Sequence, residues 1–214
     1  MGISERRERE RQQRQNAIID AAERLFFSKG VENTTMDEVA VAAELSKGTL
    51  YLYFKNKDDL YHAIVERGLK ILLEIFHEAA GKQAAAIDQV REIGKAYAEF
   101  QREYPDYFNA LLHHESREFD MSAVEENPFM SRCSELGNQV FQFLQEVVKR
   151  GIADGSIRSD LDPLKLSLVV WGHATGIMQV VRAKKKVIED IMGINGEELI
   201  TYSFELMQKY IEKR

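Results

Sequence analysis

The sequence predicts an all-α protein of about nine helices. Three observations carry that expectation. Apolar residues recur at the three-to-four spacing of a helix face along most of the 214 residues. Alternation of β-branched with polar residues is almost absent. Only three prolines occur, and two of them, Pro105 and Pro163, stand where a helix would begin.

The elements follow in order. The first helix is expected from about Arg11 to Lys29, with Ile18, Ala21, Ala22, Leu25 and Phe26 as its apolar stripe and Gly30 ending it. Thr35 and Glu38 have capping-box spacing, and Met36, Val39, Ala40 and Ala43 then fall on one face of a second helix. Leu45-Ser46 interrupts the pattern, and Ser46 is a suitable N-cap for a two-turn third helix from Lys47. A helix that short is stable only when packed on something. Asn56 caps a fourth helix reaching about Ala80, with Leu60, Ile64, Leu69, Leu72 and Phe76 inside.

Ala84–Tyr104 reads as a fifth helix and Pro105–Phe119 as a sixth. A loop around Met121–Pro128 precedes a seventh from Phe129 to Ala153. Asp154-Gly155-Ser156 is a turn, and Asp162-Pro163 starts an eighth helix running to about Lys184. Gly193–Gly196 opens a ninth that ends near the C-terminus.

Composition narrows the class. A hydrophobic fraction of 44% and a charged fraction of 30% describe an ordinary soluble chain able to bury a core. The single cysteine, Cys133, excludes an internal disulfide and suits a reducing cytoplasm. No secretory h-region is expected at the N-terminus and no apolar run has the length of a membrane span. The net charge of −6 argues against nucleic acid only if its distribution is ignored. Residues 45–57 carry Lys47, Lys55 and Lys57 with no acid. Arg6, Arg7, Arg9, Arg11 and Arg14 crowd the N-terminus, either as a DNA-contacting arm or as a solvated tail.

The third helix has an unusual surface for a core element: Lys47, Gly48, Thr49, Tyr51 and Tyr53. Small, hydroxyl and basic side chains on the second helix of a helix-turn-helix suit a DNA major groove. Gly30-Val31, Thr34-Thr35-Met36, Val39-Ala40, Ser46-Lys47-Gly48-Thr49-Leu50-Tyr51, Tyr53-Phe54 and Asn56-Lys57-Asp58-Asp59-Leu60 together resemble the DNA-binding domain of tetracycline-repressor-type (TetR family) regulators. The resemblance covers roughly residues 12–68. It implies a DNA-binding domain over 12–72, with the helix-turn-helix at about 35–54, and a helical ligand-binding and dimerisation domain over 73–214. It also implies that Thr35, Thr49, Tyr51, Tyr53 and Lys57 contact phosphates or base edges. Ser46 and Lys47 begin the reading helix, and Gly48 lets its backbone approach DNA. Leu50 and Phe54 project toward the core. Leu52 points the opposite way, to pack on Tyr51 or Tyr53 or to touch a thymine methyl.

In the rest of the chain, Tyr97, Phe100, Phe108, Leu112, Phe119, Phe129, Phe143, Trp171 and Met178 are candidates for an apolar effector pocket. Its candidate polar anchors are His113, Glu115, Ser116, His173 and Gln179. Adjacent His113 and His114 point about 100° apart on a helix, poor spacing for a metal pair, and no nucleophile–base pattern accompanies them. No cofactor, metal or catalytic residue is expected.

The eighth helix is apolar on nearly every face, which calls for burial on all sides. Gly172 and Gly176, one turn apart, would admit a close partner helix. The ninth carries two adjacent stripes, one with Leu199 and Leu206 and one with Ile200 and Phe204. Both patterns, with the family resemblance, point to a homodimer through the eighth and ninth helices. The expected function is a repressor released from a pseudopalindromic operator by a small lipophilic effector. The alternative is a constitutive or architectural DNA-binding dimer whose second domain only dimerises.

Overall fold

The computed structural model describes residues 2–81, 85–116 and 121–213. Its helices are α1 (Ile3–Lys29), α2 (Met36–Ala42), α3 (Lys47–Tyr53), α4 (Lys57–Gly81), α5 (Ala86–Glu103), α6 (Pro105–Ser116), α7 (Met121–Glu126), α8 (Pro128–Asp154), α9 (Pro163–Ala183) and α10 (Gly196–Ile211). A π-helical turn, Val187–Ile191, follows α9. Among the described residues the only extended pairing is one antiparallel bridge, Ile157 with Glu212.

The all-α expectation stands, with differences at particular elements. α1 starts at Ile3 and not near Arg11, because the Glu/Arg alternation is itself helix-forming and Arg6 pairs with Glu10 one turn on, at 2.8 Å. The segment expected to be a loop before Pro128 is helical over Met121–Glu126.

The chain divides into two compact units. The first joins residues 1–68 with 109–135, and the second joins 69–108 with 136–214. α4, α6 and α8 each contribute to both. In the first unit Ile18, Ala21, Ala22 and Phe26 of α1 are buried, as are Val39 and Ala40 of α2, Leu50 of α3, and Leu60 and Ile64 of α4. These are the stripes the spacing marked. Gly30 ends α1 at φ 86°, a left-handed backbone that a side chain would strain.

In the second unit α5, α9 and α10 pack on one another. Tyr97 of α5 meets the ring of Phe76 edge-on, with centroids 5.9 Å apart, and the ring of Phe108 at 5.6 Å. Gly151 of α8 lies so close to Ile157 that an added Cβ would sit 2.5 Å from its terminal methyl. The loop can therefore fold back there and pair with the end of α10, with the Arg158 amide donating to the Ile211 carbonyl at 2.9 Å.

Candidate nucleic-acid interface and effector cavity

The reading head is built by reciprocal caps. The Thr35 amide donates to the Glu38 carboxylate at 2.8 Å, and the Glu38 amide donates to the Thr35 hydroxyl at 3.2 Å. Lys29, 2.5 Å away, and then Thr35 hold the Glu38 carboxyl down to about 2. The turn between α2 and α3 passes through Glu44 at φ 57°, a strained position for a side-chain-bearing residue. It is held by the Leu45 amide donating to the Ala40 carbonyl at 2.9 Å. Ser46 then caps α3, accepting the Thr49 amide at 3.1 Å, while the two hydroxyls lie 2.8 Å apart. Leu50 and Phe54 are fully buried, which fixes the opposite face of α3 outward.

That outward face is chemically mixed. Lys47 reaches Asp37 of α2 at 2.7 Å, an exposed ion pair across the turn. Gly48 is bare and open, with only the Ser46 hydroxyl within 4 Å of where a Cβ would stand. Tyr51 is 42% exposed and Leu52 82% exposed, so Leu52 does not pack on the neighbouring tyrosines. Thr35 and Ser46 are exposed, and Thr49, Tyr53 and Lys57 are half-buried. The Lys57 ammonium donates to the carbonyls of Val31 at 2.9 Å and Glu32 at 3.3 Å, binding α4 to the loop before α2. An ammonium has three donors, and these carbonyls use two.

One family model, described as bacterial regulatory proteins of the tetR family, matches residues 18–64, the span of this reading head. The chain belongs to the TetR family. YhgD of Bacillus subtilis strain 168, a helix-turn-helix-type transcriptional regulator, is 28% identical over 68% of this chain and 72% of its own length. The regulator TtgR of Pseudomonas putida is 23% identical over 81% of this chain and 82% of its own. The crystal structure of the transcriptional regulator FadR from Bacillus subtilis in complex with stearoyl-CoA shares the fold at a TM-score of 0.70. It is 19% identical, covering 92% of this chain and 98% of that one. This TetR-family chain is a DNA-binding transcriptional regulator.

The reading head of this TetR-family chain has a second support that sequence reading missed. Residues 109–116 and 121–135 fall in the same unit as the first half of α4 and bond to it. Tyr61 donates its hydroxyl to the Ala110 carbonyl at 2.7 Å, and the Cys133 thiol donates to the His62 carbonyl at 2.9 Å. Phe54 stacks on Phe129 at 5.0 Å, and Arg132 lies over Phe129 at 4.6 Å while binding Glu66 at 2.8 Å. Phe129, a candidate for the pocket, thus packs within the first unit. The missed signal is faint, since an aromatic in a helical stripe names no partner.

Four other pocket candidates, Leu112, His113, Glu115 and Ser116, fall in this same segment. The His113 ring meets Tyr61 edge-on at 5.8 Å, and His114 meets His62 at 5.5 Å. Ser116 donates to its own helix at the His113 carbonyl. Desolvation pushes the Glu115 carboxyl above the ordinary carboxylate range. Phe119 lies outside the described residues. Among the described residues no group of three or more His, Cys, Asp or Glu is arranged to hold a metal ion.

The second unit does bring some candidates together. Tyr97 and Trp171 line an apolar cavity with Leu72, Phe76, Ile93 and Leu144. His173 lines a neighbouring one against Phe204, and Val90, Gly94, Val170 and Ala174 border both. The free space is about 20 Å³ in the first and 30 Å³ in the second, room for a water each. A wider cleft of about 300 Å³ adjoins the second through Arg91, Phe204 and Gln208. Phe100, Phe108 and Met178 are fully buried but outside these linings. Phe143 lies against His77 at 4.2 Å. His173 also ties α9 to α10, with Nε2 3.1 Å from the Ser203 carbonyl oxygen. Small aliphatic residues such as Val90 and Ala174 form much of the walls, and nothing in a sequence marks them as such.

In the single chain one side of α9 is left open: Leu164, Leu168, Gly172, Gly176 and Val180, spaced four apart, form one exposed stripe. A Cβ added at Gly172 or Gly176 would meet nothing within 4 Å. On α10, Tyr202, Leu206 and Tyr210 are exposed at the same spacing, with Leu199 half-buried. By length and composition α9 could also cross a membrane, but its inward side, Leu166, Ser167, Ala174 and Met178, is buried in the unit.

Proposed function

We propose that the protein is a homodimeric cytoplasmic repressor, released from a pseudopalindromic operator by a small lipophilic effector. The observation that carries the reading is the pairing of two uncovered surfaces: the groove-shaped face of α3 and the apolar stripes of α9 and α10. A two-fold operator calls for a two-fold protein, and glycines on an open helix edge suit close approach by the same edge of a second copy. Residues 12–72 read DNA, and 73–214 binds effector and dimerises. Thr35, Ser46, Lys47, Gly48, Thr49, Tyr51, Tyr53 and Lys57 form the DNA-contacting set. No chemical step is required of any of them.

The effector site is the pair of apolar cavities bordered by Tyr97, Trp171 and His173. They hold little more than water, so an effector must displace side chains to enter, which couples binding to movement. α4 runs unbroken from Lys57 to Gly81, carrying residues of both units. DNA fixes its half-sites about 34 Å apart, so a small shift of α4 would misplace one recognition helix. The relative FadR holds stearoyl-CoA, which supports an effector with a long apolar chain. The small free space also favours the second reading, a constitutive DNA-binding dimer.

One measurement separates the two. Stearoyl-CoA is titrated into the protein alone and into its complex with a duplex enriched from random-sequence DNA. A coupling of about 3 kcal/mol would weaken acyl-CoA binding roughly a hundredfold on DNA, by reciprocity. Equal affinities, or no binding, would leave the constitutive reading standing.

A further inference from the structure

Asn127 stands between α7 and α8 and makes two kinds of bond at once. Its carbonyl oxygen accepts the amides of Phe129 at 2.9 Å and Met130 at 3.2 Å, capping α8. Its amide nitrogen donates to the Asp59 carboxylate at 2.8 Å. Asp59 is a buried acid, 5% exposed, and its other oxygen accepts the Lys55 amide at 2.8 Å. Lys55 belongs to the short loop by which the chain leaves α3. One side step away, Phe54, the last residue of α3's cap, stacks on Phe129, the first turn of α8. The start of α8 is therefore bonded to the exit of the recognition helix through a single carboxylate and a single ring pair.

We propose that Asn127 is a positioning residue: through Asp59 it sets the Lys55 loop, and so the orientation of α3, and makes the start of α8 a second input to the recognition helix beside α4. α8 continues unbroken to Asp154, so a displacement of that helix reaches Asp59 at once. A buried carboxylate that loses a donor is strongly disfavoured. The link is sensitive to polarity as well as to distance, because the donor must face the acid. The DNA-affinity arm of its test rests on the DNA-binding reading above; the exchange arm does not.

The test uses isosteric changes in the full-length protein. Asn127→Asp keeps the α8 cap, since Asp caps as well as Asn, but turns an oxygen toward Asp59. Adding Asp59→Asn restores a donor across the gap with the polarity reversed, and leaves an oxygen for the Lys55 amide. Two readouts are followed: hydrogen exchange of the Lys55 amide, and affinity for a duplex enriched from random DNA by the wild-type protein. The single variant is expected to speed Lys55 exchange and weaken DNA binding about tenfold, and the double variant to return both toward wild type. A single variant that melts lower but exchanges and binds DNA as before would show that Asn127 is only a cap. Failure of the double variant to recover would equally overturn the proposal. Should the single variant not fold, recovery of folding and of Lys55 protection in the double variant supports it. If the wild-type protein enriches no duplex, exchange alone decides, and the DNA reading fails separately.

Discussion

α3 and α9 are both left uncovered on one side, and the two exposed faces have opposite chemistry. α3 is seven residues long and shows DNA-sized features: a bare Gly48, Tyr51 and Lys47, with Lys55 in the loop just beyond it. The Ser46 and Thr49 hydroxyls bond each other at its start, and one apolar side chain, Leu52, is the most exposed of its large hydrophobic residues. α9 is 21 residues long and shows aliphatic side chains and glycines at four-residue spacing, with no charge in the stripe. A short mixed face of this kind gains little from covering itself with protein. A long apolar stripe gains about 25 cal/mol for each Å² removed from water, so it selects a protein partner. On the proposed function, the same lack of cover means a different partner in each place.

The strongest way to break this contrast is at α9. Gly172→Leu should disrupt the dimer, because the bulk enters twice in a two-fold contact and overpacking costs about 1–3 kcal/mol at each copy. Sedimentation at micromolar concentration checks it; a wild-type monomer, or an unchanged mutant dimer, would place the contact elsewhere.

A smaller effect is expected at Lys57. Lys57→Ala removes two charge-assisted bonds to the Val31 and Glu32 carbonyls, for a stability loss of about 1.5–3 kcal/mol. If its third donor meets a phosphate, the slope of log affinity against log salt also falls by about one unit. Thermal melts and salt titrations measure the two separately, and an unchanged slope would restrict Lys57 to holding the fold.

The smallest effect sharpens the role of α3. Replacing thymine by uracil, base by base, in the enriched duplex removes one methyl at a time. At one position per half-site the wild-type protein should lose about fourfold, the worth of one buried methyl. Leu52→Ala should lose nothing further there. A flat uracil scan would show that Leu52 meets no methyl.

The caps at Thr35 and Ser46, the buried pair Leu50 and Phe54, and the stripe from Ile18 to Phe26 were all legible in the residues. Each depends on neighbours within four positions, where helix geometry alone decides who meets whom. The same local logic marked α9 and α10 as apolar but could not say which side stays open, since that depends on where α5 packs. Of the pocket candidates, Tyr97, Trp171 and His173 line the cavities, whereas Leu112, His113, Glu115 and Ser116 fall in the segment grouped with the DNA-binding unit. Aromatic and polar residues announce that they will be buried or engaged, not with whom.

What the sequence determined by itself is the set of helices in the reading head and the identity of the face it presents, because capping and periodicity are short-range. Only the tertiary structure decided that Asn127, 68 positions along the chain from Asp59, would bind it. It also decided that Lys57 would be drawn into the carbonyls of Val31 and Glu32, and that one stripe of α9 would be left open. Those outcomes depend on long-range packing, where a buried carboxylate takes whichever donor the fold brings within about 3 Å.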